Sequence, residues 1–516
     1  MNATSPKDSA KRADSVLRAA ARKIDPRLRA ALHAMNSALP QSPARDRNCE
    51  KLQHPGAVVL VTGQQMGLFL GPLFTAYKAI SVIENAKALE AETNTPVVPL
   101  FWLQSEDHDV DEVNVCTLPA ASGGIIKLGT KLDETIPARV SVSERMFLDD
   151  LPNVLHEALS VAHTDEERSA LFRDHYRVGA SFSSAFRGAM AQLFETDGLL
   201  FFDPRHPSLL PLVQPIYERA FADLDAIDEL LLRRVQELRA EDLPEQVHVR
   251  AGSPLFFFRK GSGTGPRFRL SREGSAYTLI GDGEQLSGDE VLSLLRNEPE
   301  RFSSTALLRP LIQDLLLPSA GYVGGPAEIN YFRQIEPLYA HFGIEQPVVY
   351  PRGSFLLLEP KARRLLDQLG LPQDILRSDS RNLTKEILAR SLPEDVQPAV
   401  LEARLNDGLM RVLEDAKTRA EAVDPRFSAA FDRSEEKLSR AVSGILDRYR
   451  KLVLDRDKIT KERAEKLQVL VAPEGVPQER SYSFLPFWCK YGPALLEAVR
   501  SAFVPYNGET RIVELT

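Results

Sequence analysis

The run Val58-Val59-Leu60-Val61-Thr62 stops at a loop whose glycines, Gly63, Gly67 and Gly71, stand four residues apart. Behind the loop, Phe74, Tyr77, Ile80, Val82, Ile83, Ala86 and Leu89 recur at helical spacing. Pro96 to Leu103 (PVVPLFWL) is then continuously apolar, like a strand buried on both faces of a parallel sheet. Strand, turn, helix and strand in this order predict a βαβ unit with a right-handed crossover. That unit commits the chain to an α/β fold.

The alternation continues, with a helix predicted over Ser184–Phe194, a strand over Gly198–Phe202 and one long charged helix from Leu209 to about Ala240. Val247–Arg250, Leu255–Arg259 and Arg267–Leu270 read as short strands between Gly-Ser turns, a β-rich insertion near 245–300. Pro347–Arg352 is another sheet-strand candidate. From about Asp395 the texture changes. Leu405, Leu409, Val412, Ala416 and Val423 recur at spacings of mostly three and four, and after Asp424-Pro425 so do Leu438, Val442, Ile445, Tyr449, Leu452 and Ile459. Two such runs predict an antiparallel helical hairpin of coiled-coil type, pairing internally, with a second subunit, or both. The expected division is a helical extension over 1–47, an α/β core over 48–394, the hairpin over 395–472 and a segment over 473–516 packing back on the core.

Composition narrows the function classes. The 516 residues are 43% hydrophobic and 26% charged, as in an ordinary globular protein, with ample length for a large core. A net charge of −8 and a pI near 5.8 argue against nucleic acid as the main partner. Cys49, Cys116 and Cys489 are odd in number and far apart, which suits neither a disulfide framework nor a zinc site but does suit a reducing cytoplasm. No apolar run is long enough to span a membrane. Met1 to Arg29 lacks an apolar signal core and reads as a partly frayed amphipathic helix.

Four constellations could carry chemistry. In the first, Gly63, Gly67 and Gly71 would let backbone amides approach a phosphate, while Gln64 and Gln65 hold a carboxylate or sugar hydroxyl. The spacing matches neither the dinucleotide fingerprint nor the P-loop, and a plain strand-to-helix turn with glycines for close packing is the alternative. The second, Ser105-Glu106-Asp107-His108-Asp109, follows a sheet strand, where ligand sites of open α/β sheets lie. Its carboxylates could orient His108 as a general base, or Ser105 and its acidic neighbours could simply cap a helix; with no second ligand cluster, a permanent metal is not expected. The third, Gly324-Gly325-Pro326 with Glu328, makes an exposed helix start, and Arg352 follows a strand; either could hold an anion or serve structure alone. In the tail, Lys490 and Tyr491 could clamp a nucleotide, or pack the tail down.

VVLVTGQQMGLFLGPLFTAYKAI, PVVPLFWLQSEDHDVDEVN, GYVGGPAEINYF and PQERSYSFLPFWCKYGP, in this order, resemble the bacillithiol-biosynthesis cysteine-adding enzymes. The resemblance covers about Asn48 to the C-terminus. It implies a Rossmann-like parallel-sheet core with inserted connecting-peptide subdomains, plus a C-terminal α-helical antiparallel coiled coil that mediates homodimerisation. The implied reaction adds L-cysteine to glucosaminyl-malate, with ATP or another adenine nucleotide, and magnesium as a further candidate. The family core is similar to class I aminoacyl-tRNA synthetases, but the lysine signature loop of those enzymes has no counterpart here. On this reading Gly63, Gln64, Gly67 and Gly71 would serve the nucleotide, and His108, supported by Asp107 or Asp109, would take the amine proton. Glu106 would bind the amine or magnesium, and Gly324, Gly325 and Arg352 the malate carboxylates. The alternatives are a nucleotidyltransferase or sugar-modifying transferase on the same fold, and a nonenzymatic nucleotide-binding scaffold.

Overall fold

Unbroken apolar runs become the buried strands of a parallel sheet, and alternating runs become an antiparallel one. The computed structural model describes residues 8–120, 123–162, 165–377, 381, 383–390, 392–456 and 458–516. Its two five-stranded sheets comprise β1 Val58–Gln64, β2 Val97–Leu103, β3 Leu200–Phe202, β4 Phe256–Arg259, β5 Arg267–Glu273, β6 Ala276–Leu279, β7 Gln285–Ser287, β8 Phe302–Ser304, β9 Ser319–Gly324 and β10 Val348–Pro351.

The parallel sheet has the order β10-β9-β1-β2-β3, so successive strands leave β1 in opposite directions. This reversal makes a crevice at the carboxyl ends of β1 and β9, where open α/β sheets place ligands. The predicted crossover helix forms over Phe74–Thr93 and ends at Asn94, whose left-handed φ of 52° lets its N–H reach the Glu90 carbonyl. The predicted insertion is the antiparallel sheet, ordered β8-β4-β5-β6-β7. Phe256, Phe258, Phe268 and Phe302 on one of its faces join the core that Val59, Val61, Leu100 and Trp102 build from the parallel sheet.

Several expectations fail for identifiable reasons. The helix expected over Leu209–Ala240 is two, Leu210–Ala222 and Leu224–Ala240, broken at Asp223, whose side chain pairs with Nε2 of His341 at 2.9 Å. Val247–Arg250 is not a strand. Gln334 donates to the Val247 carbonyl and accepts from its N–H, and Glu245 accepts from the Val249 N–H, so side chains occupy groups a ladder would use. Residues 1–7 of the expected N-terminal extension lie outside the described residues. The rest is no frayed appendage: helices Ser9–Ala20 and Pro26–Ser37 bury Val16, Ala19, Leu28, Leu32 and Met35. Asn36 exchanges hydrogen bonds of 2.9 and 3.0 Å with the N–H and carbonyl of Phe201, covering part of the edge strand β3.

The chain divides into two units, one of Met1–Leu118, Ile126–Phe355 and Tyr482–Val513, the other of Pro119–Ile125, Leu356–Ser481 and Glu514–Thr516. In the first, the tail returns to the core: the Phe484 N–H donates to the Gly71 carbonyl at 2.8 Å, and the Leu73 N–H to the Tyr482 carbonyl at 3.0 Å. The second starts well before the expected position 395, because helices Pro360–Leu369 and Leu383–Arg390 pack on Lys458–Val471 and bury Leu366, Ile387 and Leu467. Its hairpin, Pro398–Glu421 against Ser428–Arg456, is held by an Arg450–Glu402 ion pair of 2.7 Å and by Tyr449, which donates to the Val396 carbonyl at 2.8 Å. The expected seam splits in two. Leu409, Ala416, Leu438, Val442 and Tyr449 are half-buried, whereas Leu405, Val412, Val423, Ile445, Leu452 and Ile459 are exposed.

Candidate functional site at the strand ends

The crevice between β1 and β9 is closed by a buried lysine. Lys78 lies on the inner face of the crossover helix and donates to the Gly63 carbonyl at 2.7 Å and to Oε1 of Gln64 at 2.9 Å. Its Nζ also pairs with Glu328 at 2.6 Å. Glu328 accepts from the Tyr322 hydroxyl at 2.5 Å and from the Gly325 N–H at 2.8 Å, the latter capping its own helix. Burial lowers the pKa of Lys78, and burial alone would raise that of Glu328. The ammonium beside it instead holds the Glu328 carboxyl below its usual range. Arg352, also buried, stacks over Phe74 with its guanidinium carbon 5.4 Å from the ring centre. Thus Gln64, Gly324, Gly325, Glu328 and Arg352, predicted separately, converge on one place, around a lysine that sequence reasoning missed. Its signal was a charge inside a helix segment otherwise made of Thr75, Ala76, Tyr77, Ala79 and Ile80.

A second cluster forms beyond β2. Asp107 accepts from Gln65 Nε2 at 2.6 Å, from Arg267 Nη2 at 2.8 Å and from the His108 N–H at 2.7 Å. Burial opposes ionisation of Asp107, but Arg267 and these donors outweigh it and lower the pKa. Arg267, on β5, also donates through Nε to Nδ1 of His108 at 2.8 Å, and its guanidinium lies 4.4 Å from the centre of the Phe257 ring. A guanidinium remains protonated, so Nδ1 of His108 is an acceptor and the ring proton sits on Nε2. Burial, then the Arg267 charge, lowers the pKa of His108. Asp107 Oδ1 stays 3.7 Å from Nδ1 of His108, but the hydrogen bond to that nitrogen comes from Arg267, which favours a neutral ring with its proton on Nε2. Asp109 instead caps the helix Val110–Val113, and Ser105 donates to Asp203.

Between these clusters lies a cavity of about 270 Å³. Trp102, Gln104, Glu106 and Asp107 line it from the end of β2, Phe257, Arg267 and Ser304 from the antiparallel sheet, and Arg309 and Tyr331 from helices. Trp102 stacks on Phe202 with ring centres 4.4 Å apart, and the Arg309 guanidinium lies 5.9 Å from the Trp102 ring centre. Ser304 donates to Oε2 of Glu106 at 2.6 Å. Arg309 donates to the Tyr331 hydroxyl at 2.8 Å. The cavity walls thus combine a carboxylate, guanidinium groups and aromatic faces, a lining suited to a small polar ligand.

The glycine loop serves packing. A Cβ on Gly63 would meet the Trp102 carbonyl oxygen at 2.8 Å, and one on Gly67 would meet the Gly71 Cα at 2.6 Å. Gly71 has φ of +65°, and Leu68, Phe69 and Leu70 between the glycines are buried, with Phe69 edge-on to Tyr176 at 5.0 Å. These residues do not fit a phosphate cradle: the surfaces that would approach a ligand are covered by the protein itself. Lys490 and Tyr491 do not line the cavity. Their helix, Phe484–Tyr491, packs on Glu166–His175, with Trp488 Nε1 donating to the Arg168 carbonyl at 3.0 Å and Arg168 donating to the Lys490 carbonyl. Among the described residues no group of three or more His, Cys, Asp or Glu is placed to hold a metal ion, and no helix is long and apolar enough to cross a membrane.

A parallel-sheet core with its cavity at the strand ends, a β-rich insertion forming one wall, and a separate coiled-coil unit define a Rossmann-like enzyme with a helical domain. The chain belongs to the bacillithiol biosynthesis BshC family: the family's N-terminal Rossmann-like domain matches residues 2–353, and its C-terminal coiled-coil domain matches residues 355–515. The match takes in the N-terminal helices, which the resemblance starting near Asn48 had left out. Among its relatives, the "Putative cysteine ligase BshC" of Solibacter usitatus is 32% identical over 479 residues, covering 92% of this chain and 87% of the relative. Proteins of the same name from Koribacter versatilis (92% and 87% covered) and Salinibacter ruber (88% and 82% covered) are each 30% identical. Membership places the chain among enzymes named as ligases that form a carbon–nitrogen bond.

Proposed function

We propose that this chain adds L-cysteine to glucosaminyl-malate, joining the cysteine carboxyl to the sugar amine as the last step of bacillithiol synthesis. The observation that carries this reading is the cavity at the strand ends, with Glu106 on one wall and Arg267 and Arg309 around it. A free carboxylate is a poor acyl donor at neutral pH. ATP, with magnesium as counterion, supplies the phosphate leaving group that makes the cysteine carbonyl reactive. The expected cradle of Gly63, Gly67 and Gly71 does not fit it, so no step is assigned to that loop.

The chain's own residues supply the rest. In the coupling itself the amine would attack the activated cysteine carbonyl, forming the C–N bond as the activating group leaves and a proton is released. Glu106 receives that proton: Ser304 fixes one of its oxygens, while the donors of Gln65, Arg267 and His108 engage Asp107. His108 donates from Nε2 to an oxygen that gains charge at the reacting carbonyl. The exposed side chains of Leu405, Val412, Val423, Ile445, Leu452 and Ile459 support homodimerisation through the coiled coil, and three free, buried cysteines suit a cytoplasmic setting.

The test combines full-length protein, L-cysteine, glucosaminyl-malate, ATP and magnesium, with mass spectrometry of thiol and nucleotide products. Amide product with matching ATP consumption is expected. If both substrates bind but nothing forms, another transferase reaction replaces this reading; if neither binds, the scaffold reading does.

A further inference from the structure

The insertion sheet turns a charged face towards the cavity. Side chains directly opposite one another in an antiparallel ladder share a face, and alternate residues along a strand share it too. Arg259 stands opposite Arg267, Phe257 lies two residues from Arg259, and Ser303 stands opposite Phe257. Phe257 and Arg267 line the cavity, and Arg259 and Ser303 lie on the same face of the sheet, directly beside that lining. Arg259 is 1% exposed, and among the described residues neither of its terminal nitrogens has a hydrogen-bond partner; nor does the Ser303 hydroxyl, 0% exposed, have one among them. The other arginines nearby are occupied, Arg267 by Asp107 at 2.8 Å and Arg205 by Glu144 at 2.5 Å. Glu106 is close enough to interact with Arg259 electrostatically, but its Oε2 is bonded to Ser304.

A buried guanidinium without a partner is strongly destabilising unless an anion completes it. We propose that Arg259, with Ser303 beside it, binds a spectator carboxylate of the acceptor substrate. This rests on the ligase reading, in which the acceptor carries malate carboxylates. The alternative oxyanions are less suited. The cysteine carboxylate must lose its charge on activation, so a buried cation holding it would favour the ground state over the transition state. A malate carboxylate keeps its charge throughout, and the planar fork of Arg259 matches it with two parallel bonds. The dicarboxylate end of the acceptor therefore lies against the insertion sheet, and its amine points towards Glu106.

The test uses full-length wild type, Arg259→Met and Arg259→Lys, with L-malate, L-cysteine and inorganic phosphate as separate probes in thermal melts and calorimetry. Without ligand, Arg259→Met should melt at or above the wild-type temperature, since it removes a buried charge whose terminal nitrogens make no hydrogen bond among the described residues. Malate should raise the wild-type Tm but not that of Arg259→Met, and KM for glucosaminyl-malate should rise by about tenfold or more with kcat less affected. Arg259→Lys should recover part of the malate affinity. Unchanged malate binding in Arg259→Met overturns the assignment, as does a melt far below wild type, which would make Arg259 a structural partner of Glu106. Arg259-dependent binding of phosphate or cysteine in place of malate overturns it too. Amide product with an unmoved KM removes the carboxylate site and leaves the ligase; Arg259-dependent malate binding with no amide product does the reverse.

Discussion

Arg267 donates from Nε to Nδ1 of His108 at 2.8 Å, a contact between residues far apart in the chain that decides which nitrogen of the imidazole carries its proton. The same guanidinium holds Asp107, so one side chain from the insertion organises the loop beyond β2.

Removing it should therefore be severe. Arg267→Leu leaves Asp107 and His108 without their shared donor, and a loss of about 3 kcal/mol in urea unfolding is expected. Arg267→Lys should not restore activity, because an ammonium cannot reproduce the two-sided fork. Wild-type stability in Arg267→Leu would contradict this account.

The neutral imidazole predicts a pH dependence. His108 titrates below its ordinary 6.5 in the folded chain, so on acidification the unfolded chain takes up its proton first. Its contribution to stability is complete above about pH 6.5 and is lost as pH falls towards the folded value. Asp107, also lowered, adds to the loss in the same direction at more acid pH. The Tm of His108→Gln should fall less steeply than that of wild type just below pH 6.5. NMR titration of His108 should give a midpoint under the ordinary value; a midpoint above it would refute the arginine contact.

Lys78 and Glu328 form a closed buried pair. Either Lys78→Met or Glu328→Gln alone should destabilise by about 3 kcal/mol, because each strands the other charge, while the double variant should recover much of the loss. A double-mutant cycle in denaturant measures the coupling; simple additivity would mean that the pair is not coupled.

Gly67 separates packing from phosphate binding. Gly67→Ala brings a Cβ to 2.6 Å from the Gly71 backbone, and an overpacking loss of about 1–3 kcal/mol should follow. A variant that keeps wild-type stability and loses only nucleotide affinity would restore the cradle.

The coiled coil offers a test of assembly. Ile445 and Leu452 are 61% and 69% exposed, and their replacement by Glu together should leave the hairpin folded while turning a dimer into a monomer. Light scattering with circular dichroism reads both; a wild-type chain that is already monomeric would end the dimer proposal.

The parallel core was legible in the sequence because its signals are local. Val58–Thr62 and PVVPLFWL have no polar face to expose, and Asp424-Pro425 can only end a helix. Arg259 and Arg267 were not legible as site residues, since a charge ending FFFR or opening RFRL normally faces water. What buries them is a pairing between strands and a placement over a distant loop, neither of which local periodicity encodes. The strand expected at Val247–Arg250 failed for a related reason: Gln334, remote in sequence, takes its backbone groups. Even Gly63 and Gly67 had the right residue type for a functional loop, but what demands glycine there is close packing against Trp102 and Gly71.

Trp102 is one of only two tryptophans, and its indole forms part of the cavity wall while Trp488 is fixed in the tail by its bond to Arg168. Any molecule that enters beside Arg309 changes the surroundings of one fluorophore and leaves the other as an internal standard. The protein thus carries an optical gauge of occupancy at its strand ends, readable without a label and before any product accumulates.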